Sequence, residues 1–590
     1  MNSMPSNIRI ALFVAFCAAF EAACSGGPAT LPASGPGASA PSAATAKAAR
    51  SRGDVVATAP NLSQLGVTDA GAAPRSAALS LAIALRYRNQ DALDRLVAEQ
   101  ADPQSSLYRS WLSNAQFDAR FAPTKAAYRT VLSSLQRAGF RIDRTFENRT
   151  VIDASAGVAD IERYFRTSIH RVRATKTGVE YANVRPAYAP EKLRGVLLGV
   201  DGLDTVVVAH PYYAPIGRGS APRLSPAASS SSLFGPVSSV THGRGYAPLA
   251  FWGGYDLPVA HLTPAGKRYD GTGRASGIVI DADFAESDLR GFLSYFKIAR
   301  TGPATHRVLL HGGPPPGDAS GDSVEAVLDA EALVGDAPGT ALTVYEIKNL
   351  SNRNITDAFE TAASDNAVDA VNASFGGCEV GIGEKTVATW SRLAEQGASK
   401  GITFHAATGD SGGSLCANAP ASSPYFVAVS GTALTVGIGG AWAAESAWSG
   451  SGSGISSIFL RPAWQATTAG TIDRGRNVPD VALDADPYTG IAFYYTGTWN
   501  NQYNPLGGTS LSSPLFGAAV AGMDQVKGGR LGLAAGGLYS AFAAHGYGAG
   551  ASTYFHDVVQ GNNGTFYASS GYDLVTGIGS IDAWNLASVL

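Results

Sequence analysis

Charge is scarce in this chain. Only 15% of its 590 residues are Asp, Glu, Lys or Arg, against about 25% in average globular proteins. The formal net charge is -3 and no basic stretch occurs, which sets aside nucleic acid as an expected partner. Low charge density also limits self-repulsion once carboxylates are neutralised in acid. Long apolar runs are wanting too: the run from Ile10 to Phe20 is too short for a comfortable transmembrane helix, and no later stretch is long enough. Cysteine is rare, with four in all. Cys17 and Cys24 lie in the leading segment, which leaves Cys378 and Cys416 as either one disulfide or two buried thiols. Internal repeats are not evident.

What is present begins with an export pattern. Arg9, the apolar run and the small residues Ala22-Ala23-Cys24-Ser25-Gly26-Gly27 read as a signal segment over 1–24. Secretion is the expectation. Cys24 before Ser-Gly-Gly resembles a bacterial lipoprotein site, although Glu21 stands where such sites prefer leucine, so periplasmic retention or lipid anchoring at Cys24 is the alternative and the only route to a membrane. Residues 25–59, rich in Ala, Ser, Gly and Pro, read as a disordered tether. A folded unit is expected over 60–212, with helical patterns at Leu79–Glu99 and Thr124–Ala138 and strands near Asn148–Asp153 and Thr205–Val208. A Ser/Pro/Gly-rich linker over 213–246 exposes the chain to cleavage. From 247 to 590, apolar strands (Gly277–Ala282, Ala341–Ile347, Ala367–Phe375, Ile402–Ala407, Tyr425–Ser430) alternate with helical stretches at Val324–Val334 and Lys385–Gln396. Such alternation predicts a parallel, doubly wound α/β sheet with helices on both faces.

Three segments carry chemistry. In Gly507-Gly508-Thr509-Ser510-Leu511-Ser512-Ser513-Pro514, tight glycines precede a serine at the start of an apolar helix. Oriented backbone N–H groups there favour negative charge, so Ser510 reads as a nucleophile or as the N-cap of a core helix. In Ser323 to Val334, Glu325 and Asp329 are four apart and share a helical face. They form either a solvated acidic face or, given the flanking Val, Leu and Ala, a partly buried carboxyl pair that resists double ionisation. Gly401-Ile402-Thr403-Phe404-His405-Ala406-Ala407-Thr408-Gly409-Asp410 reads as a buried strand running out to Asp410. That carboxyl end is where open α/β sheets build sites, and Asp410 is otherwise an Asx-turn residue.

In this order the three segments resemble the sedolisin family of serine-carboxyl peptidases, close to its kumamolisin-like members. The resemblance implies Ser510 as nucleophile, Glu325 as general base, Asp329 as its partner and Asp410 as the carboxylic acid facing the oxyanion. Tyr108, Trp111, Phe117, Phe121-Ala122-Pro123 and Asn148-Arg149-Thr150-Val151-Ile152 resemble the family's activation propeptide, which implies a subtilisin-like catalytic domain preceded by an α+β propeptide that acts as an intramolecular inhibitor. The other reading of 60–212 is a binding domain that stays attached. Val478-Pro479-Asp480-Val481-Ala482 with Ala485 to Gly490, and Val371-Asn372-Ala373-Ser374-Phe375-Gly376-Gly377, resemble the segment ahead of the nucleophile and the substrate-cleft strand. Phe375 departs from relatives that carry a hydrogen-bonding tryptophan. Phe555-His556-Asp557-Val558, Gly561-Asn562-Asn563, Gly571-Tyr572-Asp573 and Thr576-Gly577 resemble the family's calcium loop. This implies one Ca2+ held by the carboxylates of Asp557 and Asp573 and the carbonyls of Val558, Ser569 and Gly571, an all-oxygen set that suits a hard cation. Ser569 replaces a glycine of the family pattern.

The residues themselves predict acid chemistry. A serine hydroxyl needs a base within reach, and a carboxylate with an ordinary pKa of about 4.3 serves below neutrality. Asp410 can donate to an oxyanion only while protonated. Gly409-Asp410-Ser411-Gly412-Gly413 spells the nucleophile motif of chymotrypsin-like proteases, but no histidine stands in the required Ala-Ala-His-Cys setting. Subtilisin's Asp-Thr-Gly and His-Gly-Thr elements are likewise missing, and His242 and His311 read as loop histidines. The expectation is a secreted acid endopeptidase acting on proteins or peptides and made as a self-processing proenzyme. A tripeptidyl-peptidase of the same family, or an inactive scaffold acting as a binding protein, are the alternatives.

Overall fold

A computed structural model of the chain describes residues 53–173, 180–215, 245–315, 322–437, 439–497 and 501–590. The export signal, Cys17 and Cys24, most of the tether, His242 and most of the 213–246 linker lie outside the described residues; the described end of the tether is not disordered, since Val55–Ala57 form a strand paired antiparallel with Ala187 and Tyr188. Asp54–Leu590 is one compact unit.

In its N-terminal part, Leu79, Leu81, Ile83 and Leu85 recur at every second position and are all buried, the period of a strand rather than a helix. They form β1 (Ala78–Leu85). The helix expected over Leu79–Glu99 is therefore split. Asn89 turns left-handed at φ 53° and only then does α1 (Gln90–Ala101) begin. Helix α2 (Lys125–Arg137) matches its expected span and is capped by Thr124, whose Oγ1 accepts the Ala127 N–H. Strands β2 (Arg141–Thr145), β3 (Val151–Gly157) and β4 (Leu197–Asp201) complete an antiparallel sheet in the order β2-β3-β1-β4. Two expected strands are corrected. The one near Asn148–Asp153 starts at Val151, because Arg149 takes φ 67°. Thr205–Val208 is no strand: Asp204 Oδ1 accepts the Val207 N–H at 3.0 Å and bends the chain, leaving an isolated bridge from Val208 to Ser351.

The C-terminal part is built on β5 (Ala275–Ile280), β6 (His306–Leu309), β7 (Ala341–Glu346), β8 (Ala370–Ala373), β9 (Thr403–Ala407), β10 (Phe426–Val436), β11 (Trp442–Ala447) and β12 (Val481–Asp484). Their order is β6-β7-β5-β8-β9-β10-β11, with β12 also beside β10. All pairs are parallel except β10 with β11. Successive residues of β5 face opposite ways: Ile278 and Ile280 pack in one core with Leu328, Leu333, Phe516 and Met523, and Val279 in another with Phe359 and Trp390. Accordingly α3 (Ser323–Asp336) and α6 (Thr509–Lys527) cover one face, and α4 (Asn352–Asp365) and α5 (Glu384–Ser399) the other. The doubly wound expectation holds. The expected strand Ala367–Phe375 ends at Ala373, and Phe375–Cys378 leaves the main sheet to form a separate antiparallel edge.

The N-terminal sheet rests on α4 and α5. Asp201 of β4 accepts hydroxyl hydrogen bonds from Thr356 at 2.8 Å and from Thr386, and Tyr87 Oη donates to Gln396 Oε1 at 3.1 Å. Asp153 of β3 is buried beside Asp357, with His311 Nε2 3.7 Å and Arg353 3.9 Å away. Burial, then the Asp357 charge, pushes the Asp153 carboxyl up to about 8.

Candidate active site

Glu325 lies in the first turn of α3 and Asp329 one turn on, so both carboxyls leave the same face. Helix α3 packs along α6, which brings that face to the start of α6 and hence to Ser510. Glycine at 508 is required by its backbone, at φ 101°, and by its surroundings. A methyl there would fall 2.2 Å from the Tyr212 carbonyl oxygen and 2.6 Å from Asp410 Oδ2. Asp410 follows β9 through Gly409, also left-handed at φ 106°. Three segments far apart in sequence therefore converge at the carboxyl ends of β8 and β9, as the topology demands.

Glu325, Asp329 and Ser510 are fully buried. Burial first, and then the Asp329 charge, raises Glu325 well above the usual glutamate range, while the Ser510 hydroxyl favours its ionised form. Burial also raises Asp329, opposed first by the hydrogen bond from Ser374 and then by the nearby Asn372 and Glu325 side chains. Two carboxyls this close resist double ionisation, so the pair titrates as a unit and holds a proton between them. Neither Glu325 oxygen has a hydrogen-bond partner of ordinary geometry. The Ser510 hydroxyl instead donates to the Ser374 carbonyl at 3.1 Å and accepts the Tyr212 N–H at 3.1 Å.

Asp410 is partly exposed as a residue, but its Oδ2 is sealed from solvent and has no hydrogen-bond partner. Its Oδ1 accepts both the N–H and the Oγ1–H of Thr509, each at 2.8 Å. Burial pushes the carboxyl up to about 7 against those two bonds. A protonated Oδ2 beside the outward N–H of Ser510 makes a pair of donors for an oxyanion. The N–H of Ser510 is already engaged, by the Tyr212 carbonyl oxygen at 3.0 Å.

Sequence reasoning missed the support behind Asp329. Ser374 Oγ donates to Asp329 Oδ1 at 2.6 Å and accepts from Asn372 Nδ2 at 2.8 Å. Asn372 Oδ1 in turn accepts from Ser513 Oγ at 2.7 Å, which lies 3.0 Å from His405 Nδ1. Burial lowers His405 to about 3, keeping it neutral. Every donor in this chain points toward Asp329. The polar residues inside Val371 to Gly377 were the available signal. Phe375 takes no part and stacks on Phe359. Ser411 is exposed in a loop, and His311 pairs with Asp357 at 2.6 Å rather than with any serine. Cys378 and Cys416 form a disulfide that ties the Phe375–Cys378 edge to the segment beyond Asp410.

The residues expected to hold calcium gather in two facing loops. Asp557 accepts from the Gly571 N–H at 3.2 Å and from Ser570 Oγ at 2.9 Å. Asp573 accepts from the N–H groups of Ser569, Val575 and Thr576 at 2.8–2.9 Å. Val558 is buried next to Asp557. Among the described residues no Lys, Arg or His forms an ion pair with either carboxylate. Two neighbouring carboxylates without a cationic partner fit a bound cation.

Comparison with known proteins agrees with this anatomy. Residues 65–206 match the family described as Pro-kumamolisin, activation domain, and residues 316–530 match the subtilase family. The chain is 30% identical to sedolisin of Pseudomonas sp. (strain 101) over 576 residues, covering 90% of this chain and 92% of that one. It is 28% identical to kumamolisin of Bacillus sp. (strain MN-32), covering 85% and 90%. The structure of Pseudomonas sedolisin complexed with two molecules of pseudo-iodotyrostatin superposes with a TM-score of 0.50 at 28% identity, covering 59% of this chain and 98% of that one. With the Glu325–Asp329 pair and the Asp410 carboxyl converging on Ser510 in a chain that carries an activation domain, this chain belongs to the sedolisin family of serine-carboxyl peptidases.

Proposed function

We propose that the chain is an exported, acid-acting, calcium-stabilised endopeptidase made as a self-processing precursor. Ser510 is the nucleophile, Glu325 the base that takes its proton, Asp329 the group that shares a proton with Glu325, and protonated Asp410 the side-chain oxyanion donor. One observation carries this reading: the carbonyl oxygen of Tyr212 lies against the Ser510 N–H and shares its small space with Asp410 Oδ2, the position of a carbonyl under attack.

The acid working range follows from the two carboxyl roles. The base must be ionised, and burial raises it; the donor must be protonated, and it loses its proton near 7. Activity is thus confined between an ascending limb above the ordinary glutamate pKa and a descending limb about neutrality. The endopeptidase reading rests on the cleft's amino side. Five residues, Val208 to Tyr212, lie before the carbonyl at Ser510, and both Val208 and Ala209 still bond to Ser351 and Leu350. A tripeptidyl-peptidase would need that side closed after three. The side chains of Asp557 and Asp573, with the carbonyls of Val558, Ser569 and Gly571, would hold Ca2+, which would cross-link the two loops and take no part in catalysis.

Digestion of a denatured protein between pH 4 and 8, with products identified by mass and Ser510→Ala as control, tests the reading. Internal fragments from the wild type alone are expected. Release of tripeptides only would select the tripeptidyl-peptidase alternative, and full biological effect from Ser510→Ala would return the binding-protein alternative.

A further inference from the structure

The cleft is filled by the chain's own residues 208–215, and their pairing changes partner at a single peptide bond. On the amino side, Val208 bridges Ser351, the Ala209 N–H donates to the Leu350 carbonyl at 2.9 Å, and His210 and Pro211 pair antiparallel with Gly376 and Phe375. The Tyr212 N–H lies 3.2 Å from the Ser374 carbonyl and 3.1 Å from Ser510 Oγ. On the carboxyl side, Ala214 and Pro215 pair antiparallel with Gly507 and Leu506, just ahead of the serine. Two ladders grip the strand from either side of the Tyr212–Tyr213 bond, and its carbonyl oxygen is 3.0 Å from the Ser510 N–H.

The Tyr212 side chain is seated as well. It is 8% exposed and lies across two glycines. A methyl on Gly376 would come 3.0 Å from Tyr212 Oη, and one on Gly409 would come 3.5 Å from its ring. These glycines flank the slot that holds the ring, although a methyl on either would first meet a nearer atom, the Ala419 carbonyl oxygen at 2.3 Å or Asn418 Nδ2 at 2.4 Å. Since Gly409 is also left-handed, any larger residue there is disfavoured on two counts.

We infer that the precursor cuts itself at Tyr212–Tyr213, with the slot over Gly376 and Gly409 receiving an aromatic side chain on the acyl side of the bond. This rests on the peptidase reading above. Ser510 Oγ bonds to the Tyr212 carbonyl carbon as the hydroxyl proton passes to Glu325. The carbon–nitrogen bond then breaks as that proton moves to the Tyr213 nitrogen. Water splits the resulting ester, returning the Ser510 hydroxyl and leaving Tyr212 as a free carboxyl terminus.

The test uses the full chain, held at neutral pH and then acidified, with the earliest products read by intact mass and amino-terminal labelling. A fragment ending at Tyr212 and a partner beginning at Tyr213 are expected, absent in Ser510→Ala and formed at least tenfold more slowly in Tyr212→Gly. A synthetic peptide copying Val206 to Pro215, offered to the mature enzyme, is expected to be cut at the same bond, and this holds even if the variant misfolds. A first cut elsewhere, in a chain that hydrolyses an added protein, overturns the inference and leaves the peptidase reading standing. An intact precursor inert toward added protein overturns both.

Discussion

Replacing Asp410 by asparagine should abolish the alkaline limb of the pH profile without abolishing activity. In the structure Asp410 Oδ1 is fully used as an acceptor for Thr509, whereas Oδ2 is the oxygen left to face a substrate carbonyl. Asparagine keeps the acceptor and puts an N–H2 group in place of Oδ2, which donates at every pH. The wild-type carboxyl donates only while protonated, and burial sets its loss of the proton near 7. That value belongs to a cleft covered by the Tyr212 strand, so it corresponds to the substrate-bound enzyme and to kcat rather than kcat/KM. Above pH 7 the wild-type kcat should fall about tenfold per unit, toward a floor about 10²- to 10³-fold down, the usual cost of one lost oxyanion donor, about 2.7–4 kcal/mol. Asp410→Ala should sit near that floor throughout. Asp410→Asn should have a lower maximum but stay level from about pH 7 to pH 9. The assay is kcat against pH for the mature form of each protein on one saturating peptide. A wild-type kcat that stays level across this range, or an asparagine variant that falls with the same limb, would refute the assignment of Asp410.

Three further outcomes follow, each measured in a Ser510→Ala background so that self-digestion does not intervene. Chelation should lower the thermal midpoint, calcium at about 100 times its Kd should restore about 2.7 kcal/mol, and Asp573→Asn should erase the difference; a midpoint indifferent to chelator would remove the ion from the account. Replacing both Cys378 and Cys416 by alanine should cost about 2–4 kcal/mol in urea unfolding, the chain-entropy figure for a bridge spanning 38 residues being about 4, and an unchanged midpoint would show that the bridge constrains nothing. Asp153 has a folded pKa of about 8 against an ordinary 3.8. The folded state therefore holds the proton more tightly, and stability present below pH 4 is lost as pH rises from about 4 to about 8. Asp153→Asn should accordingly stabilise the precursor by roughly 2–4 kcal/mol at pH 7 and by little at pH 4, and equal gains at both pH values would contradict that linkage.

Much of this protein was legible along the chain, because local patterns and short motifs are properties of neighbouring residues. The Gly-Gly-Thr-Ser start of α6, the Glu325–Asp329 spacing and the alternation of buried strands with helices all depend on residues within a turn or two of one another. So does the fold class. Misread elements lay where local signals competed. Leu79 to Leu85 carries period two but adjoins a helix, and Thr205–Val208 is rich in strand-forming residues yet is bent by the Asp204 side chain. Ser374 and Asn372 were visible as polar residues in an apolar strand, but their hold on Asp329 depends on α3 lying across the end of β8. The sequence by itself thus determined which groups could do chemistry and which elements would carry them. Only the tertiary structure decided that Tyr212, almost 300 residues before Ser510, would lie against that serine, and that burial would lift the Asp410 carboxyl up to about 7. Close approach and exclusion of water arise from the packing of distant segments, and neither is encoded at any single position.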